Sequence, residues 1–82
     1  MPGIPVGRIA HFFPKISVAV VELFGELRQG DMISIEGPHG KVEQMVGSMQ
    51  IDKVAVPVAT KGQSIGMKVS GVVHEKDIVY KK

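Results

Sequence analysis

The sequence predicts an all-β domain, a small closed antiparallel β-barrel of six or so strands. Three observations lead there. β-Branched residues and glycines alternate along the chain, and no window sustains the three-and-four spacing of an amphipathic helix. Turn chemistry recurs at short intervals, at Phe13-Pro14-Lys15, Gly37-Pro38-His39-Gly40 and Lys61-Gly62-Gln63. At 82 residues there is room for one core, and an open sheet of that size would leave edges that closure removes.

Val6 to Phe12 reads as the first strand, ended by Pro14, whose fixed φ suits the second position of a tight turn. Ile16 to Leu23 returns antiparallel to it. Ser17 is its only polar residue before Glu22, so this strand is expected to be central and covered on both sides for part of its length. Leu27 then plugs a barrel end, and Gly30 takes a left-handed turn. Met32 to Glu36 alternates, with Ile33 and Ile35 inward and Ser34 and Glu36 outward. Lys41 to Ile51 has apolar residues of both parities, which implies a bulge near Gly47 or a change of sheet. Pro57 limits Asp52 to Thr60 to an edge or a loop. In Ile65 to Val69, Ile65, Met67 and Val69 face in, while Gly66 and Lys68 face out. A last strand, about Val72 to Lys81, is interrupted near Glu75-Lys76-Asp77. The domain spans 1–82, with 1–5 and 81–82 expected to be flexible ends.

Composition bounds the function. Hydrophobic residues make up 44% and charged residues 22%, which suits a folded domain and not a disordered one. A net charge of +2, with no block of like charge before Lys81-Lys82, permits nucleic acid without demanding it. Without cysteine there are no disulfides and no thiolate metal sites. No apolar run approaches the length of a spanning helix, so no membrane partner and a cytoplasmic location are expected. The absence of asparagine and the small number of glutamines point to a thermophilic source.

Catalytic constellations are missing. Gly37-Pro38-His39-Gly40-Lys41-Val42 lacks both the spacing between glycines and the hydroxyl after lysine that a phosphate loop needs. His11, His39 and His74 lie far apart without cysteines, so a metal site would need three distant segments to converge. His11 reads as a wall residue with a satisfied ring nitrogen, and His39 as solvated. No serine has a base nearby in sequence, and the carboxylate pairs Glu22/Glu26 and Glu75/Asp77 flank turns where solvated charge suffices. No catalytic residue, metal or small-molecule cofactor is expected, and the domain acts by binding.

One ordered set of motifs carries a family resemblance. Gly25-x-Leu27-x-x-Gly30-Asp31, an alternating strand, Ser48-Met49-Gln50 and Ala59-x-x-Gly62-x-x-Ile65-Gly66 follow an initial hairpin in that order. The arrangement resembles the second domain of elongation factor Tu and other translation GTPases, and is similar to small archaeal elongation-factor-like proteins. It is also similar to the barrel appended to some collagenase-type peptidases. The first resemblance implies a Greek-key barrel of the translation-factor type that contacts transfer RNA or ribosomal RNA through Ser48 to Gln50 and Gly62 to Gly66. Ser48 departs from it, standing where that family's Val-Glu-Met segment offers a carboxylate to the terminal ribose. Lys76 stands where similar proteins carry glycine, and a positive φ there would cost about 1 kcal/mol.

Two binding modes stay open. In the first, Arg8, His11, Lys15, Ser48, Gln50, Lys53, Lys61 and Lys68 converge on one face and contact an RNA backbone. In the second, an exposed Phe13 with nearby valines marks a protein-interaction surface, and the domain docks in trans on a GTPase or peptidase-type partner. Phe24 is expected to cap the barrel. An enzyme ranks last.

Overall fold

A computed structural model describes residues 3–82. The described residues are all-β, without helix. Ten strands run in chain order as β1 (Ile4–Phe13), β2 (Val18–Leu23), β3 (Leu27–Arg28), β4 (Met32–Gly37), β5 (Gly40–Met45), β6 (Met49–Ile51), β7 (Val54–Ala55), β8 (Val58–Ala59), β9 (Ser64–Lys68) and β10 (Ile78–Lys81). Eight form one antiparallel sheet in the order β5-β4-β10-β1-β2-β9-β6-β7, and β3 pairs with β8. Cross-strand rows carry the core. Ile9, Val21 and Ile65 stand side by side on β1, β2 and β9, and Ala19, Met67 and Met49 make the next row on β2, β9 and β6. All six are buried, as alternation places them. Gly7 lies where β1 presses on β2, and a Cβ there would sit 2.7 Å from Val21 Cγ1.

The sheet is not closed into a barrel, which corrects the expected closed six-stranded form. The stretch Lys41 to Ile51 is not one strand. It breaks at Val46, which is buried and exchanges backbone bonds with the β3–β4 turn: Gly30 N donates to Val46 O at 2.8 Å and Val46 N to Asp31 O at 2.8 Å. With its backbone committed to that turn, the chain leaves β5 and re-enters the sheet beside β9, so β5 is at one end of the strand order and β6 is next to last at the other. The expected bulge near Gly47 or change of sheet is instead an interruption of the strand from Val46 to Ser48, after which the chain rejoins the same sheet. Elsewhere, Leu27 is fully buried and Gly30 has a φ of 93°, as expected.

Three further expectations shift. The last strand is only Ile78–Lys81, because His74 to Asp77 forms a turn in which the Asp77 carboxylate accepts from His74 N at 3.0 Å. Lys76 has a φ of 76° within that turn, as expected, and its N–H donates to Ile9 O at 2.8 Å. Ser34 is buried rather than outward and open, since its outer-face neighbours Tyr80 and Glu43 flank it and its hydroxyl donates to Glu36 at 2.8 Å. The expected flexible stretch 1–5 falls partly outside the described residues. Of the rest, Ile4 and Pro5 pair with Lys81 and Tyr80, and Lys82 N donates to Met32 O at 3.0 Å.

The β6–β7 hairpin turns through Asp52 and Lys53 with φ of 50° and 67°, the left-handed pair of a type I′ turn. Lysine is strained there, and glycine is not. Lys53→Gly is expected to raise stability by about 1 kcal/mol, read as a higher denaturant midpoint at unchanged slope.

Candidate functional site

The outer face of the β1–β2–β9 segment carries apolar residues, Phe13 and Ile16 exposed and Val18 and Val20 half-buried. Phe13 lies opposite Val18, and His11 lies opposite Val20. The imidazole of His11 meets the Phe13 ring edge-on, with centroids 4.5 Å apart. Ile16 closes the hairpin turn, its N–H donating to Phe13 O at 3.3 Å, and Ser17 gives that turn a φ of 57°. Phe13 remains 43% exposed and Ile16 59%. Gly66, beside Val20 on β9, adds no side chain, and a Cβ there would lie 3.7 Å from Val18 Cγ1. Lys15, Lys68 and Glu75 rim this surface, and Glu75 is tied to His11 Nδ1 at 3.2 Å.

The eight residues proposed to contact RNA do not form one basic face. Arg8 is committed to Glu22 at 2.6 Å, and His11 to Glu75. Lys15 and Lys68 lie at the Phe13 end of β2 and β9. Lys53 and Lys61 occupy turns at the other end of β9, which its five residues place about 13 Å away. Ser48 lies in the crossover between β5 and β6, and Gln50 faces out on β6 opposite Gly66 and Ala55. Antiparallel strands send successive turns to opposite ends, and that separates lysines which a linear reading groups together.

Phe24 does not cap a barrel end. It is 46% exposed, because its N–H donates to Val6 O and holds the turn with its ring outward. Leu27 fills the interior instead.

Two polar features escaped sequence reasoning. Asp77 reads in sequence as solvated turn charge, yet its side chain is only 7% exposed, with Oδ1 lacking a hydrogen-bond partner. It lines a cavity of about 190 Å³ with His39, Lys41 and His74. The His39 and His74 rings lie 4.1 Å apart. Among the described residues, no three histidines or carboxylates gather as a metal site would require. Gln44 is the second: its Nε2 donates to Lys68 O at the end of β9, and its Oε1 accepts from Ser70 N just beyond. Near it, Glu43 is held below the usual carboxylate range, first by a hydrogen bond from Lys82 and then by the charges of Lys41 and Lys82.

No family model matches the chain. It is 45% identical over 78 residues to an uncharacterized protease of Methanocaldococcus jannaschii, covering 94% of this chain and 19% of that protein. It is 37% identical over 78 residues to a collagenase of Porphyromonas gingivalis, covering 93% of this chain and 22% of the collagenase. The chain thus spans about a fifth of the length of the curated relatives it matches. Among solved structures, the C-terminal domain of a U32-type peptidase of Geobacillus thermoleovorans superposes with a TM-score of 0.90 at 18% identity, covering 98% of this chain and 92% of that domain. A selenomethionine variant of the same domain gives 0.89 at 19% identity, covering 94% and 98%.

These findings overturn the resemblance to elongation factor Tu, and with it the expectation of an RNA-binding translation factor. The motifs behind that resemblance are structural solutions. In Gly25-x-Leu27-x-x-Gly30-Asp31, Leu27 fills the core, Gly30 takes a positive φ and the Asp31 carboxylate accepts from Arg28 N at 2.9 Å. In Ala59-x-x-Gly62-x-x-Ile65, Ala59 and Ile65 are buried and Gly62 has a φ of 90°. Any small β domain that turns the same corners needs those residues, whatever its lineage. In sequence the chain is similar to a segment of that protease and that collagenase, and in fold to the C-terminal domain of the U32-type peptidase.

Proposed function

We propose that this chain is a non-catalytic docking module that works beside a peptidase-type domain, engaging it through the face centred on Phe13. The supporting observation is the exposure of Phe13 and Ile16 beside half-buried Val18 and Val20 within a charged rim, the composition of an interface centre and its border. The similarity to proteases about five times longer supplies the partner's class. A standard interface takes about 800 Å² per partner, and this chain exposes 5097 Å² in all. Such a contact would therefore extend past the apolar row to the Lys15, Lys68 and Glu75 rim.

The test is a calorimetric titration of the chain into the Methanocaldococcus jannaschii protease from which the matching segment has been removed. Saturable one-to-one binding is expected. Phe13→Asp should weaken it by at least about tenfold, because a central aromatic anchor carries a large share of interface energy. Phe13 faces away from the core, so thermal stability should stay within a few degrees of the parent. Equal affinity for parent and variant would reject the Phe13 face, and absence of binding would reject the partner class.

A further inference from the structure

Two histidines distant in sequence meet where the tip of the β4–β5 hairpin reaches the segment leading into β10. His39 follows Pro38 in the hairpin turn, and His74 opens the turn that ends at Asp77. Their rings lie 4.1 Å apart and 31° from parallel. The turn from His74 to Asp77 is fastened to β1, with Ile9 N donating to Asp77 O and Lys76 N to Ile9 O, both at 2.8 Å. His74 therefore stands on backbone tied to the sheet, while His39 is exposed at a hairpin tip. Both line the cavity of about 190 Å³ that Asp77 borders, together with Lys41 and the apolar Ile35, Val42 and Val72.

Charge decides what such a cavity takes. The Asp77 side chain is more than nine-tenths buried; Oδ2 accepts from His74 N, and Oδ1 has no hydrogen-bond partner. A buried carboxylate with a free oxygen is costly unless a positive charge compensates it. Lys41 lines the cavity, but its Nζ lies 3.9 Å from Glu43. The imidazoles then select among cations, because calcium and magnesium take sets of oxygens whereas imidazole nitrogen suits zinc, copper and nickel. Asp77 Oδ2 lies 4.0 Å from His74 Nδ1. A ring shift of about 1 Å makes the carboxylate–imidazole hydrogen bond that metal-bound histidines have, and leaves Nε2 for the ion. Two nitrogens on one tetrahedral ion lie about 3.4 Å apart, a spacing that rings with centroids 4.1 Å apart reach by small side-chain rotations.

We infer that His39 and His74 form an open site for a divalent transition ion of the zinc class, with Asp77 orienting His74 and supplying the compensating negative charge. Three protein ligands do not converge among the described residues, so the ion keeps water in its remaining positions and is not enclosed as a structural zinc is. Bound there, it clips the tip of β5, the end strand of the sheet, to the turn that precedes β10.

The experiment titrates zinc chloride into the untagged whole chain, read by imidazole NMR and calorimetry. Saturable one-to-one binding is expected, with the ring signals of His39 and His74 moving and those of His11 staying in place, while magnesium chloride moves none. His39→Ala, at an exposed turn, should keep the zinc-free thermal midpoint within a few degrees of the parent and weaken zinc by at least about tenfold. Asp77→Asn keeps the size and removes the charge, and should weaken zinc about tenfold, the effect of losing a carboxylate behind a ligand. Zinc should raise the thermal midpoint of the parent and not of His39→Ala, since an ion that binds only the folded chain stabilises it. Fixed His39 and His74 signals at about tenfold molar excess of zinc, equal movement of His11, or unchanged affinity in either variant would each overturn the inference.

Discussion

Leu27→Ala is expected to destabilise the domain by about 3 kcal/mol, the middle of the range for truncating a buried leucine. Leu27 has no exposed surface and begins β3, which pairs only with β8 through Leu27 opposite Ala59 and Arg28 opposite Val58. The β3–β8 ribbon has two residues per strand, so its hydrogen bonds cannot hold it alone. Burial of Leu27 and Ala59 holds it against the large sheet. For a chain of this length, total stability is on the order of 4–12 kcal/mol, so the loss is a large fraction of the whole. Thermal midpoint should fall by roughly 10–20 °C. A fall of only a few degrees would mean that the ribbon is held by its turns and that Leu27 is dispensable.

Gly37→Ala is expected to cost about 2–4 kcal/mol, because a methyl group at residue 37 would occupy the place of the Asp77 carboxylate. Gly37 does not have a positive φ, so alanine is acceptable to the backbone and the requirement is for space alone. The displaced carboxylate would lose its bond from His74 N while remaining buried. Asp77→Ala removes both the bond and the obstacle. The double variant Gly37→Ala/Asp77→Ala should therefore be more stable than the sum of the single losses implies, by at least about 1 kcal/mol in a thermodynamic cycle. Strict additivity would show that the two residues do not share the site.

Legibility in the sequence followed the range of the forces involved. Strands were readable where one face is buried: Ile65, Met67 and Val69 alternate in sequence and are buried as alternation requires. Positive φ was readable at Gly30 and Lys76, where turn chemistry is local. Closure was not, because it depends on where Val46 finds its backbone partners, and those lie in the β3–β4 turn. The burial of Asp77 was hidden for the same reason, since Gly37 lies forty residues away in sequence and makes the room. Phe13 was identifiable as a large apolar residue beside a turn, and only the register shows that it stands beside the half-buried Val18 and Val20. The basic residues misled because a list of lysines has no geometry, and strand direction sends Lys53 and Lys61 to the end opposite Lys15 and Lys68. The Gln44 bridge was unreadable because its partners, Lys68 and Ser70, come from a segment 24 and 26 residues away.

The most direct test of the docking reading is hydrogen exchange of the chain with and without the truncated protease, read residue by residue. Slower exchange confined to His11 to Val20, with Lys68 at its border, is the predicted result, because covering the Phe13 face buries the hairpin that carries it. Unchanged exchange across His11 to Val20 with protection at Lys53 or Lys61 would contradict it and place the partner at the opposite end of the sheet.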